Sequence, residues 1–290
     1  MLNRFKINAV GWIFIGIATI MITTFYFYPM LQAFILSLQT GVGANMEFIG
    51  FKNYTRAFSD PTFIVAFKNT FIFLLVQVPI MIVLGLFLSV LLNDATLKFK
   101  GFFRMAIFLP AVTSLVAYSI IFKDLFSMNG IVNTVLLKIS LISEPINWLG
   151  DSFWAKVLII IAITWRWTGY NMIFYLSGLQ NVDRSMYEAA KIDGASAFQQ
   201  FTKITIPVLK PIILFTSITS TIGTLQLFDE IMNITGGGPG NATTTISQYI
   251  YNLSFKYAPD FGYAATVSYF IVVIIILLSI VQFKLAGDKK

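Results

Sequence analysis

Long unbroken apolar runs alternate with short polar connectors along this chain. Six windows qualify as membrane-spanning helices: 9–38, 67–92, 102–126, 153–179, 208–228 and 262–284. Each approaches or exceeds the roughly 20 apolar residues that a helix needs to cross a bilayer. The runs are continuously apolar rather than alternating, which predicts helices and not barrel strands. The first window is long enough to tilt or to extend past the bilayer, and Pro29 marks a bend within it. The pattern therefore predicts an all-α integral membrane protein with six transmembrane helices, a single transmembrane domain over residues 1–290.

The connectors carry cap and turn signals. Asp60-Pro61 predicts an N-cap followed by proline at the first helical position, leading into the second span. Gly236-Gly237-Gly238-Pro239-Gly240 fits neither helix nor strand and reads as a loop beyond the fifth span. It is no phosphate loop, because no strand precedes it and no Lys-Ser/Thr follows. The connector 183–207 is the most structured. Ser185-Met186-Tyr187-Glu188 has the spacing of a capping box, with the serine capping and the glutamate reaching back. Ala189, Ala190 and Lys191 continue that helix, and Gly194 fits the left-handed position that closes it. Ser196-Ala197-Phe198-Gln199 reads as a second capping box. Pro207 and Pro211 punctuate the entry to the fifth span. The expected order is helix, glycine turn, helix, membrane re-entry.

Composition supports the membrane reading and removes several chemistries. Hydrophobic residues make up 57% of the chain and charged ones 11%; soluble domains carry about 25% charged residues. There is no cysteine, so disulfides, iron–sulfur clusters and thiol chemistry are excluded, and no histidine, the commonest general base and metal ligand. No metal site is expected. The net charge of +7 comes from basic residues scattered between apolar runs, not from a patch, so no nucleic-acid partner is expected. With both termini cytoplasmic, twelve of the 20 basic residues fall on the inner side and seven on the outer, with Arg166 inside a span. The first apolar run follows Arg4 and Lys6 but lacks a clear cleavage site, and reads as an uncleaved helix. The sequons at Asn53, Asn233, Asn241 and Asn252 read as chance matches.

A solute site is expected on the fourth and fifth spans. Trp167, Tyr170, Asn171, Phe174 and Gly178 recur on one helical face. Ser217, Ser220, Thr221, Thr224 and Phe228 form a similar stripe on the fifth span, with Gln226 near its end. Aromatic faces beside hydroxyl and amide groups suit the apolar C–H faces and polar rims of sugars. Trp167, Tyr170, Ser220 and Thr224 head the candidate set, joined by Asn171 and Gln226. Serine and threonine also bridge packed membrane helices, so the same stripes have a purely structural reading. Arg166 near the middle of its span should face a polar cavity or a partner, since a charge there costs about 2.5–3.5 kcal/mol on insertion scales.

No Gly-x-x-x-x-Gly-Lys-Ser/Thr occurs, so this chain has no Walker A loop and should not hydrolyse ATP. The acids, among them Asp94, Asp124, Asp183, Asp229 and Glu230, lie in connectors or at span ends, unlike the intramembrane carboxylates of ion-coupled carriers. No catalytic constellation supports a membrane enzyme.

Glu188-Ala189-Ala190, three residues, Gly194, nine residues and Ile204-Thr205-Ile206-Pro207 together resemble the EAA loop of permease subunits of binding-protein-dependent ABC importers. Phe51-Lys52-Asn53-Tyr54, Asp60-Pro61, Leu109-Pro110, Gly178-Leu179-Gln180 and Thr235-Gly236-Gly237-Gly238-Pro239 extend the resemblance to the carbohydrate branch, from about residue 45 onward. The last element looks like the first of the two permease types in such transporters, in a short six-span form.

The resemblance implies a type I ABC importer permease fold at the cell membrane. It implies that the coupling loop 183–207 docks into a cleft on an ATPase, with Glu188 as polar anchor. Ala189, Ala190 and Gly194 would allow close approach, and Asp193, Ile204 and Pro207 complete the coupling set. It also implies a second permease as heterodimer partner, two ATPase subunits that bind ATP and magnesium, and an extracellular solute-binding protein. This chain would bind no cofactor. The substrate would be a sugar, an oligosaccharide or glycoside, held by the inner spans near mid-membrane. Glycerol phosphate, a polyol or another small solute is the alternative, and it is the weaker one because Arg166 alone could meet a phosphate.

Overall fold

The computed structural model describes residues 2–43, 45–94 and 96–286. In chain order the helices are α1 (Leu2–Ile22), α2 (Tyr28–Ser37), α3 (Lys52–Ala57), α4 (Pro61–Asn93), α5 (Lys100–Val112), α6 (Leu115–Leu125), α7 (Ile131–Lys138), α8 (Ser152–Gln180), α9 (Arg184–Ile192), α10 (Ala197–Gln200), α11 (Ile206–Leu225), α12 (Asp229–Ile234), α13 (Ile246–Tyr251) and α14 (Phe261–Ala286). Between α2 and α3, β1 (Gln39–Thr40) pairs antiparallel with β2 (Glu47–Phe48). Among the described residues, Phe14–Ser37, Pro61–Asn93, Ser152–Gln180, Ala197–Leu225 and Phe261–Leu285 are long and apolar enough to cross a membrane. Lys100–Val112 with Leu115–Leu125 makes a sixth such segment, bent by 100°.

The third span is therefore not the single helix expected over 102–126. Its break has a local cause. Pro110 cannot donate a backbone bond, and Thr113 turns its hydroxyl back to the Pro110 carbonyl at 2.7 Å. Thr113 and Ser114 then adopt ψ of 150° and 131°, so the chain leaves the helix and restarts at Leu115.

Prolines elsewhere are absorbed without such a break. A five-residue π-turn, Thr23–Phe27, ends two positions before Pro29, and a second, Phe201–Thr205, ends two before Pro207. A wide turn relieves the clash of the proline ring with the preceding turn. Consequently α10, the π-turn and α11 form one helix over Ala197–Leu225.

The chain divides into two compact units, Met1–Asp60 with Ile250–Phe270 and Pro61–Tyr249 with Ile271–Lys290. The first unit is tied together by polar groups. Asn53, 3% exposed, donates to the carbonyls of Ser37 and Gln39 at 3.1 and 2.8 Å, and Tyr54 bonds the Ser37 hydroxyl at 2.8 Å. Thr266 donates to the Ser37 carbonyl at 3.0 Å, and Arg56 pairs with Asp260 at 2.7 Å. Asn53 thus serves as a bracket; its burial agrees with reading its sequon as a chance match.

The second unit is a packed helix cluster in which α8 is central, lying against α4, α5 and α11. Small residues set these approaches. A Cβ at Gly169 would collide with the α5 backbone at Ile107, and one at Gly178 with Leu209 and Ile212 of α11. The glycine-rich segment is a turn, as expected, and it is pinned to α4. Asn69 donates to the carbonyls of Asn241 and Thr244, both at 3.0 Å, and Thr70 accepts from the Ile246 amide at 3.1 Å.

Candidate functional site

A cavity of about 440 Å³ opens among α4, α6, α8, α11 and the start of α12. All six residues expected to face a solute line it: Trp167, Tyr170 and Asn171 from α8, Ser220 and Thr224 from α11, and Gln226 just beyond. Their surroundings separate them into two kinds. Asn171 and Thr224 are 1% and 4% exposed and bridge helices. Asn171 donates to the Ser220 hydroxyl at 3.2 Å, and Thr224 donates to the side-chain amide oxygen of Gln77 on α4 at 2.9 Å. Tyr170 and Gln226 are exposed, while Trp167 and Ser220 are half-buried. The rings of Trp167 and Tyr170 meet edge to face at 5.9 Å and 90°, and Tyr170 continues to Phe174 at 5.0 Å, so α8 presents an aromatic wall.

The expected hydroxyl stripe of the fifth span serves two neighbours rather than one. Ser220 and Thr224 turn to the cavity wall, whereas Ser217 and Thr221 accept from the Gln282 amide of α14 at 3.1 and 2.8 Å. The pairs are offset by three residues, a net rotation of about 60°, so one edge of the stripe meets the cavity wall and the other meets α14.

Several wall residues were not anticipated. Gln77 and Met81 come from α4, and Gln77 donates to the Met81 sulfur at 3.2 Å. An amide deep inside the apolar window 67–92, two turns beyond Asn69, was the available signal for Gln77. Asp229 and Glu230 also line the wall, although they read as end-of-span acids. Glu230 is only 5% exposed and accepts from the Trp167 indole N–H at 3.4 Å. Arg166 is 6% exposed and is not a wall residue. Its guanidinium lies over Tyr118 at 4.9 Å and near Trp167 at 5.5 Å, and its Nε and Nη1 have no hydrogen-bond partner.

The connector 183–207 forms the second candidate site. The N-cap of α9 is Asp183, which accepts from the Ser185 amide at 2.9 Å, and not Ser185 as the capping-box spacing predicts. That bond holds the Asp183 carboxyl below its ordinary carboxylate value. Glu188 does not reach back: it is exposed and makes no hydrogen bond or ion pair among the described residues. Because α9 already starts at Arg184, Ser185 lies inside the helix and the cap position falls to Asp183, an equally good cap residue.

The other end of α9 matches expectation. Gly194 has φ +78°, Gly194 N–H bonds the Lys191 carbonyl at 3.1 Å and Ala195 N–H the Ala190 carbonyl at 2.8 Å, a Schellman closure. Ser196 and Gln199 form the second capping box reciprocally, at 3.3 and 2.8 Å. An unanticipated bond, Tyr187 hydroxyl to Thr205 hydroxyl at 2.9 Å, ties α9 to the π-turn. Around it Ala189, Asp193, Gly194 and Pro207 are exposed, Ala190 and Ile204 half-buried, and Ile192 and Phe198 stand out at 87% and 74% exposure. The connector thus turns Glu188, Asp193, Ile192 and Phe198 outward.

Residues 62–286 match the family model described as binding-protein-dependent transport system inner membrane component. The chain belongs to that family. Over 282 residues it is 58% identical to the lactose transport system permease protein of Rhizobium radiobacter, covering 97% of this chain and 95% of that one. It is 33% identical to the arabinooligosaccharides transport system permease protein of Bacillus subtilis, with 98% and 90% covered. Among solved structures, a chain of a bacterial ABC transporter involved in the import of the acidic polysaccharide alginate superposes with a TM-score of 0.85 at 22% identity, covering 98% of this chain and 97% of that one. That likeness establishes the ABC importer permease fold. The chain is thus a multi-pass membrane permease, consistent with its apolar helices.

Proposed function

We propose that this permease passes a sugar, an oligosaccharide or glycoside, from an extracellular binding protein to the cytoplasm by ATP-driven alternating access. The observation that carries the reading is the cavity. Its volume of about 440 Å³ falls within the range of small-molecule sites. Its wall combines the rings of Trp167 and Tyr170 with the hydrogen-bonding groups of Ser220, Gln77, Gln226 and Glu230. The 58% identity to a lactose transport permease supports the same substrate class.

In this reading both termini and the 183–207 loop face the cytoplasm. The loop docks on one of two separate ATPase subunits, which hold ATP and magnesium, and Glu188 is the polar anchor. Nucleotide-driven ATPase closure moves α9 and the continuous helix Ala197–Leu225 together, because the Tyr187–Thr205 bond joins them. The same long helix carries Ser220 and Thr224, so a push on the loop reaches the cavity wall without a flexible joint. A second, different permease completes the pathway. Glycerol phosphate is the weaker alternative: Asp229 and Glu230 line the wall and no lysine or arginine does.

The test is uptake of a labelled sugar panel by proteoliposomes carrying the co-expressed complex and its binding protein, beside Glu188→Lys. Sugar uptake lost in that variant supports both coupling and substrate class. Uptake of a different solute alone would overturn the carbohydrate assignment, and normal uptake by the variant would overturn the coupling role.

A further inference from the structure

Glu230 is an unusual wall residue for a membrane cavity. It is 5% exposed, and Trp167 is the one side chain that donates a hydrogen bond to it among the described residues, at 3.4 Å. That contact is long for a charge-assisted bond. A carboxylate has about four lone-pair sites, and beside the indole only its own backbone N–H reaches them among the described residues, so accepting capacity remains for a solute. Asp229 beside it lines the same cavity and is exposed. No cation answers them on the wall. Arg166 is an electrostatic neighbour of Glu230 but keeps its guanidinium over Tyr118 and outside the lining.

Two consequences follow for a solute. Hydroxyl groups are donors, and several could bond to the Glu230 oxygens with the strength of a charge-assisted contact. An anion entering the same space would meet the like charge of the neighbouring acids. We propose that Glu230 is a specificity-determining residue that anchors neutral, hydroxyl-rich sugars and excludes anionic ones, such as sugars bearing a carboxylate or phosphate. The proposal rests on the carbohydrate reading above and adds a charge rule to it.

The experiment measures binding of labelled lactose and of its carboxylate-bearing aldonic acid, lactobionate, to the purified complex locked with a non-hydrolysable ATP analogue. The wild-type complex should favour lactose by at least about tenfold, the worth of one hydrogen bond to a charged group. Glu230→Gln should weaken lactose by about tenfold and bring the two sugars to within about threefold of each other. Glu230→Asp keeps the charge and should keep the exclusion of lactobionate; co-purification of the partner subunits reports that each variant folds.

An unchanged ratio in Glu230→Gln, or lost exclusion in an assembled Glu230→Asp, would overturn the proposal. Equal wild-type binding of both sugars would overturn the proposal alone. Binding of neither sugar would overturn the carbohydrate reading and the proposal with it.

Discussion

The 183–207 connector and the cavity are both polar sites in a very apolar chain, and they are built in opposite ways. The connector is assembled from neighbours in sequence: an Asp183 cap, a Gly194 closure and a Ser196 capping box within about two dozen residues. It leaves Glu188, Ile192 and Phe198 outward. The cavity gathers Gln77, Leu115, Trp167, Ser220 and Glu230 from five elements, and part of its polar capacity is already used by Asn171–Ser220 and Thr224–Gln77 bonds. Groups exposed on the connector can stay unpaired because water satisfies them, whereas the buried Asn171 and Thr224 of the cavity wall are bonded to neighbouring helices.

This contrast can be broken by variants that separate coupling from solute affinity. The largest effect is expected from Glu188→Lys. Losing one partner of an interface charge pair costs about 2–5 kcal/mol, so maximal uptake should fall by about 30-fold or more. Thermal stability should stay within about 0.5 kcal/mol of wild type because the residue is exposed and unpaired. An unchanged uptake rate would end the distinction between the two regions.

Trp167→Ala should do the reverse. Removing a half-buried aromatic anchor should raise the sugar concentration for half-maximal uptake by about tenfold, with coupling intact in ATPase assays. The variant would also lose the indole bond to Glu230. A fall in maximal rate with unchanged half-saturation would place Trp167 with the coupling machinery instead.

Gly194→Ala tests the closure of α9. The left-handed conformation at φ +78° costs a residue with a Cβ about 1–2 kcal/mol. Uptake should drop several-fold, with sugar binding unchanged. Tyr187→Phe removes only the bond to Thr205, worth about 1 kcal/mol, and should lower coupled uptake about two- to threefold while leaving the basal ATPase rate alone.

The smallest effect concerns pH. The Asp183 carboxyl is held below its ordinary value by its bond from Ser185. Its contribution to the cap is complete above the unfolded value, near 4, and is lost only as pH falls through the lower folded value. Asp183→Asn should therefore leave uptake between pH 5 and 8 unchanged, measured against wild type at each pH. A shifted profile would show that the charge, and not the cap geometry, matters.

Local signals account for what was legible in the chain. Apolar runs of membrane length reported the helices, and Gly194 and the Ser196–Gln199 pair reported the turn and the second cap, because each depends on residues within one helical turn. Periodicity also put Trp167 and Tyr170 on one face, where they line the cavity. The misreadings came from competition between nearby groups. Asp183 displaced Ser185 as cap, and Thr113 with Pro110 broke the third span. Spacing alone ranks none of these alternatives.

By itself the sequence determined a helical membrane permease with a capped helix–turn–helix connector at 183–207, since span length, caps and turns are properties of contiguous residues. Only the tertiary structure decided which polar side chains line the cavity and which brace a neighbouring helix. That choice depends on the rotation of each helix against the others, which brings Gln77, Thr224 and Glu230 to one wall and sends Ser217 and Thr221 to Gln282.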